Sequence, residues 1–308
     1  MIPLLLYLTS ILSAILAMKT KENALTLPIV IALYEFLFFK GTLGKRILYL
    51  IPFLLTMLII PISLIGIDKP VGEIISGIEP ATRGYGGISR QDYLLTQFKV
   101  VVTYIRLLFL PINQNLVYDY PVYDSFLTPQ VFLSFLFLLS IFVFAFYLLL
   151  RPKSYPVLRF ISFGVFWFFI ALSVESSIIP IPMIINEYRV YLPSVGAFFA
   201  FMSGVFLLAE RLKSKKAQTY VLSLLVLISI ALSSVTYARN TVWKSSISLW
   251  EDVIKKSPHR ADAHYNLGIV YHEKGLLDNA IEQYQIALRL RPDYAKAYYN
   301  IGVVYDKK

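Results

Sequence analysis

No cysteine occurs anywhere in the 308 residues, which excludes disulfides, thiolate nucleophiles and cysteine-held zinc or iron–sulfur centres. Only three histidines are present; they are scattered without metal-ligand spacing, so no metal site and no resident cofactor are expected. Charge is scarce as well, at 16% Asp, Glu, Lys and Arg against about a quarter in an ordinary soluble domain. Apolar side chains take its place: 57% of the residues are hydrophobic and the mean hydropathy is +0.64. Short polar loops interrupt the apolar runs at intervals of roughly 20 residues, the length a helix needs to cross about 30 Å of hydrocarbon. This is the composition of an integral membrane protein in which the region 1–238 is mostly helices in lipid. The net charge of +10 does not mark a nucleic-acid binder, because the basic residues cluster in short loops beside apolar spans, where they set topology.

The pattern places crossings at 2–18, 24–39, 46–67, 130–150, 160–181, 190–209 and 218–238, an all-α bundle of about seven spans. Residues 97–111 carry Lys99 and Arg106 and stop at Pro111, which fits a helix lying in the interface better than a span. The three basic connections, 40–46, 151–159 and 210–217, belong together in the cytoplasm by the positive-inside rule. A flat 97–111 puts all three on one side. It also creates an external segment, 68–129, with the glycine-rich Arg83 to Gly87 and the tyrosine-rich Val117 to Ser125. The last span then runs outward, leaving everything after Arg239 on the extracytoplasmic side of the cell membrane. The turn Lys19 to Asn23 also faces out, where its lysines run against the charge rule.

Past the last span the character changes. Asn266, Leu267, Gly268 and Tyr271 recur in the same order as Asn300, Ile301, Gly302 and Tyr305. Their spacing is the period of tetratricopeptide repeats, about 34 residues. Leu267, Gly268, Tyr271, Ala280, Tyr284, Ala287 and Pro292 give the large–small alternation that two antiparallel helices need to pack closely. Trp250 and Pro258 stand one such period before Tyr284 and Pro292, so the stretch around Trp250 reads as the second helix of a preceding half-repeat. Residues 239–308 are therefore expected to form a helical solenoid, cut short at its C-terminus. Such arrays bind peptides in a concave groove. Asn266 and Asn300 resemble the asparagine ladder of the repeats in O-GlcNAc transferase, where a carboxamide, donor and acceptor at once, matches a peptide unit; the plainer alternative is asparagine tolerated on a helix surface. Tyr265, Ile269 and His272 complete the expected groove, and His264 is read as a surface or groove residue.

Three polar groups face outward beside lipid: Lys19, Lys21 and Glu22; Glu175; and Glu187 with Arg189. Charges at helix ends commonly anchor helices to headgroups. Lysine and arginine gathered on the outer face against the usual bias are also what binding a lipid phosphate requires.

The stretches "KTKENALTLPIVIALYEFLF", "YIRLLFLPINQNLVYDYP", "ESSIIPIPMIINEYRVYLPSVG" and "RNTVWKSSISLWEDVIKKSP", in this order and followed by the repeats, resemble the C-terminal half of a GT-C glycosyltransferase of the TMTC type, similar to protein O-mannosyltransferases. The resemblance implies a GT-C-like transmembrane region over 1–238 and a polyprenyl-phosphate-linked sugar as donor. It implies an inverting transfer to an acceptor, a protein Ser or Thr hydroxyl, at the extracytoplasmic face, with basic residues holding the departing lipid phosphate. By position, Lys19, Lys21 and Glu22 would lie at that phosphate, with Arg189 a second cation and Glu187 its orienting partner. No residue matches the family's catalytic acid, which lies in an early loop; the chain reads as truncated at its N-terminus. Asp119 and Asp124 read as turn and interface residues. The competing readings are a non-enzymatic membrane-anchored repeat scaffold and an O-antigen-ligase-like enzyme, whose cue would be external arginines such as Arg83 and Arg90. Membrane lipid, the sugar donor and a protein or peptide ligand are the expected partners.

Overall fold

A computed structural model of the chain describes residues 2–65, 88–151, 156–177, 181, 183–212 and 214–308. Arg83, the glycine-rich stretch around it and most of the first part of the expected external segment lie outside the described residues. Among the described residues every regular element is helical. Two compact units emerge. One comprises Met1–Tyr104, Val122–Ile184 and Tyr188–Gln218; the other comprises Ile105–Pro121, Ile185–Glu187 and Thr219–Lys308. The unit that holds the repeats thus recruits two short pieces from earlier in the chain, where the sequence pattern placed one boundary at 238.

The first unit opens with α1 (Ile2–Met18), a 3-10 turn at Glu22–Thr26, α2 (Leu27–Phe38), α3 (Leu43–Thr56) and α4 (Ile59–Ile65). It continues through α5 (Arg90–Phe109), whose residues from Ile105 onward belong to the second unit, and through α6 (Pro129–Leu149), α7 (Pro156–Leu172) and α8 (Tyr191–Arg211), and α9 (Lys215–Asn240) leads out of it. Among the described residues, four stretches are long and apolar enough to cross a membrane: Leu43–Ser63, Pro129–Leu149, Glu187–Arg211 and Lys215–Lys244. Leu4–Met18 and Pro156–Leu172 are apolar but shorter. The expected crossing at 24–39 resolves into the 3-10 turn and the 12 residues of α2, which cover only about 18 Å. The expected crossing at 160–181 ends as a helix at Leu172, so Glu175 sits in the turn that follows. A break at Met57 and Leu58 separates α3 from α4; in a continuous helix Pro61, without an N–H, would clash with the carbonyl of residue 57.

α5 begins at Arg90, well before the expected interfacial helix. Tyr93, Thr96, Gln97, Val100, Tyr104 and Leu107 are buried, a stripe at helical spacing, while Arg90 and Gln91 are exposed. This buried face, rather than lipid contact alone, is why a stretch with Lys99 and Arg106 forms a 20-residue helix.

The tightest helix crossing joins α7 to α8. A Cβ on Gly164 would lie 2.4 Å from the Gly196 carbonyl oxygen, and one on Gly196 would lie 2.5 Å from the Gly164 carbonyl oxygen. The backbones touch, with Ala200 one turn further along, as small residues four apart allow in lipid. Trp167 closes the crossing by donating its indole N–H to the Leu192 carbonyl at 3.0 Å. At the far end of α2, two of the basic connections converge. Arg46 pairs with Glu35 at 2.9 Å and also donates to its carbonyl, and Arg159 donates to the Leu37 carbonyl at 3.0 Å.

The repeats are α10 (Ser246–Lys256), α11 (Ala261–Glu273), α12 (Leu277–Leu290) and α13 (Ala295–Lys307). Ser245 and Ser248 form a reciprocal capping box that starts α10. Gly275, at φ +74°, ends α11: its N–H reaches the His272 carbonyl, and the Leu276 N–H reaches that of Tyr271, the Schellman arrangement that satisfies the last carbonyls. Ala280, Ile281, Tyr284 and Val304 form the core, with Tyr265, Ile269, Tyr271, Leu277 and Ile301 packed against it. A Cβ on Gly268 would stand 2.5 Å from the Tyr284 ring, so the helices approach closely because residue 268 has no side chain.

Candidate functional site

Between Arg159 and Glu187 the sequence carries one charge, Glu175, and the fold makes it a hub. It follows α7 in a turn closed by Ser176 N–H donating to the Leu172 carbonyl. Arg189 Nε lies 3.1 Å from one carboxylate oxygen of Glu175, an ion pair without the alignment of a hydrogen bond. Lys21 Nζ lies 3.6 Å from the other oxygen. Asn23 donates its amide to that second oxygen at 2.7 Å, and Tyr93 donates its hydroxyl to the Glu175 backbone carbonyl at 2.8 Å. The side chains of Arg189 and Glu175 are only 4% and 12% exposed, whereas Lys21 is 53% exposed. Burying two charges costs several kcal/mol per ion unless further polar partners offset it; Asn23 and Lys21 supply that here. Lys21 also lies over the Tyr188 ring, 5.0 Å from its centroid, a cation–π contact on the open side of the cluster. The result is a carboxylate holding two cations, one buried and fixed, one accessible.

An apolar cavity of about 290 Å³ adjoins the hub. Its walls are Phe98 and Val101 of α5, Leu138 and Phe142 of α6, and Phe169 and Leu172 of α7, and its polar lining is Gln97, Ser173 and Ser176. Ser176 follows Glu175 directly. Gln97 donates to the Ile184 carbonyl at 3.0 Å, the same carbonyl that Arg189 approaches at 3.5 Å. The Gln97 side-chain oxygen and the Ser176 hydroxyl are buried and make no hydrogen bond among the described residues. The polar end of the cavity thus meets the Glu175 cluster, and the rest is hydrocarbon.

The residues singled out from the sequence meet mixed fates. Lys21 and Arg189 come together, but through Glu175. Lys19 and Glu22 are exposed and make no ion pair among the described residues. Glu187 is not the partner of Arg189: its carboxylate accepts from the Asn115 backbone N–H at 2.7 Å and from the Tyr118 hydroxyl. The reason is local geometry. Glu187–Val190 is a 3-10 turn, in which each residue advances about a third of a revolution, so positions two apart point to different faces. Sequence reasoning leaves Glu175 out of the phosphate site, along with Asn23 and Gln97. The solitary charge in a long apolar stretch is the available signal for Glu175; nothing in the sequence marks Asn23 or Gln97.

On the repeats, Asn300 does not stand free in a groove. Its amide donates to the hydroxyls of Tyr265 at 3.2 Å and Tyr284 at 3.4 Å. The Tyr265 ring packs at a tilt against Tyr294, with centroids 4.9 Å apart, and against Tyr284 at 5.8 Å, and Ile269 packs on the core. These three are drawn into interhelical packing, because large side chains at those positions bury more apolar surface between the helices than toward a groove. Burial pushes the Tyr284 phenol up to about 12, with the Asn300 hydrogen bond pulling the other way. Asn266 is half-buried and makes no side-chain hydrogen bond among the described residues. His272 accepts from Lys307 at 3.1 Å. His264, read as a surface or groove residue, is buried between the Gln283 side-chain oxygen at 2.8 Å and the Pro258 carbonyl at 3.2 Å. No cluster that could hold a metal occurs among the described residues. The side chains of Asp119 and Asp124 are exposed.

Comparison with known proteins gives three relatives that agree. The chain is 33% identical over 100 residues to "Protein O-mannosyl-transferase F38B6.6" of Caenorhabditis elegans, and 30% and 29% identical over 102 residues to "Protein O-mannosyl-transferase TMTC1" of Homo sapiens and of Mus musculus. The matches cover 32–33% of this chain and only 14%, 12% and 11% of the three relatives. A family model described as "TPR repeat" matches residues 270–308. No solved structure matches. Over about a third of its length the chain is similar to protein O-mannosyl-transferases of the TMTC type, and it carries a tetratricopeptide repeat.

Proposed function

We propose that this chain contributes the donor-lipid site of a membrane glycosyltransferase, which takes a sugar from a polyprenyl-phosphate-linked donor and passes it to an acceptor, a protein Ser or Thr, on the extracytoplasmic face. The observation that carries this reading is the convergence of Lys21 and Arg189 on Glu175 beside a cavity of hydrocarbon walls. An anionic phosphate at the hub would accept from Lys21 and from the guanidinium of Arg189. The lipid tail would lie along Phe98, Val101, Leu138 and Phe142, and Gln97 and Ser176 would meet polar atoms near the phosphate. When the sugar leaves, charge grows on that phosphate, and fixed cations in a water-poor site stabilise it. Glu175 is engaged by both cations and serves to hold them; the base that activates the acceptor hydroxyl is assigned to no residue of this chain.

The hub lies at the amino-terminal end of α2, whereas Arg46 and Arg159 bind its carboxy-terminal end. With the basic end cytoplasmic, the hub faces outward. Completing the expected seven crossings, with α1, α2 and α7 crossing as short elements of a locally thinned bilayer, would place the repeats outside too. There they would offer Asn266 and His272 to an acceptor or partner protein.

The test is transfer of labelled sugar from a polyprenyl-phosphate donor by the full-length protein in membranes. Arg189→Ala removes a desolvated charged contact, whose loss costs about 2–5 kcal/mol, or roughly 30- to 5,000-fold in activity; Lys21→Ala, at an exposed position, should cost less. Unchanged transfer in both variants, at equal protein level, would refute the site and favour the scaffold reading. A reporter fused after Lys308 tests sidedness, and a cytoplasmic signal would overturn the topology.

A further inference from the structure

We infer that residues 112–121 form the amino-terminal cap of the repeat array, standing in for a helix that the array lacks. In the α11–α12 hairpin the first helix gives Gly268 against the ring of Tyr284. α10 carries Trp250 one repeat period before Tyr284, at the equivalent place, but the residues before it are the apolar α9 and a 3-10 turn at Thr241–Lys244. No first helix of that half-repeat precedes α10. A solenoid end without a covering element exposes its apolar face to water.

Leu116 and Val117 cover it. Val117, Val253 of α10 and Ala263 of α11 form one buried cluster, with Leu116, Trp250 and Ile254 packed against it. Val253 and Ala263 are fully buried and Val117 is 6% exposed. The segment turns into place at Asn113, whose φ of +55° is a left-handed conformation that asparagine tolerates better than most residues.

Polar contacts fasten the cap at both edges. Ser257, at the carboxy-terminal end of α10, accepts from the Asn115 amide at 2.9 Å and the Asp119 backbone N–H at 3.0 Å. Lys256 donates to the Gln114 carbonyl at 2.7 Å. On the other edge the Glu187 carboxylate takes the Asn115 backbone N–H and the Tyr118 hydroxyl. Burial, together with the carboxylate it donates to, holds the Tyr118 phenol far above the usual tyrosine range, so it stays a donor. The repeat register shows that Ser257 is particular to this end. Its equivalent one period on is Arg291, which is exposed and lies over Tyr294. An internal repeat boundary keeps a long charged residue where the capped end has a buried hydroxyl.

This inference does not depend on the transferase reading. Its test is hydrogen exchange on the whole chain in detergent or nanodiscs, comparing Val117→Ala and Asn115→Ala with the parent. Loosening the cap should speed exchange in α10 and the first turns of α11 by about tenfold or more, leaving α12 and α13 near parental rates. Because the chain has no cysteine, a second measurement is clean. V117C combined with V253C should form an intramolecular disulfide under mild oxidation, while either substitution alone should not. Unchanged exchange in α10 and α11, equal acceleration across all four helices, or no disulfide in the double variant would each overturn the cap.

Discussion

Gly268 and Gly302 occupy the same place in successive repeats, yet alanine should act on them with opposite sign. At residue 268 a Cβ would sit 2.5, 2.6 and 3.1 Å from three carbons of the Tyr284 ring, where relaxed carbon contacts need about 3.5–4.0 Å. The ring must therefore retreat by about 1 Å. It has little room, being fully buried against Ala280, Ile281 and Val304 and tied by the Asn300 amide. Overpacking of this kind costs about 1–3 kcal/mol, against a gain of about 0.5–1 kcal/mol from replacing a helical glycine by alanine. Gly268→Ala should thus destabilise the α11–α12 hairpin by up to about 2.5 kcal/mol. At residue 302 nothing stands within 4 Å of the added carbon. Gly302→Ala keeps only the propensity gain and should stabilise α13 by about 0.5–1 kcal/mol. Hydrogen exchange of the repeat amides in the whole chain reads both changes. The close packing of Gly268 on Tyr284 would be refuted if the two variants shifted exchange in the same direction, or if adding Tyr284→Val failed to restore Gly268→Ala.

Asp252 should make the base of the array acid-sensitive. Burial works against its charge, but hydrogen bonds from Lys256 and Arg239 prevail and hold the carboxyl below its usual value. A carboxyl depressed on folding stabilises the fold above the unfolded-state value, about 3.9, and that contribution is lost as pH falls through the folded value. Asp252→Asn should therefore lower the stability of α10 at neutral pH. The difference from the parent should vanish once the pH has fallen below the folded-state value, in a pH series of exchange or proteolysis rates. At the α7–α8 crossing, Gly196→Leu cannot be accommodated against a backbone carbonyl at 2.5 Å. It should force the helices apart and lower the thermal stability of the membrane unit in detergent, whereas Gly204→Leu, with open space around it, should leave it unchanged.

Some of this was written in the linear pattern. Apolar runs and the scarcity of charge specify helices in a membrane, and the periodic recurrence of Asn, Gly and Tyr specifies tetratricopeptide hairpins, because both depend on periodicities that local residues carry by themselves. The helix-ending glycine at 275 and the capping serines at 245 and 248 are equally local. Lengths were less legible. A proline just downstream divides α3 from α4, and the Glu175 hub is built in the turns that precede α2 and follow α7, so runs that looked like uniform spans became helices of unequal length.

Partnership lay beyond the sequence altogether. Arg189 and Glu187 stand two apart and look like a pair, but a 3-10 turn sends one to Glu175 and the other to Asn115 and Tyr118. Lys21 and Glu175, half the chain apart, meet because the start of α2 and the end of α7 lie at the same level. Asn115 reaches Ser257 across a comparable stretch of chain. Periodicity reports which face of an element is apolar; it carries no information about which distant polar group that face will meet, and only the packing of the helices decided it.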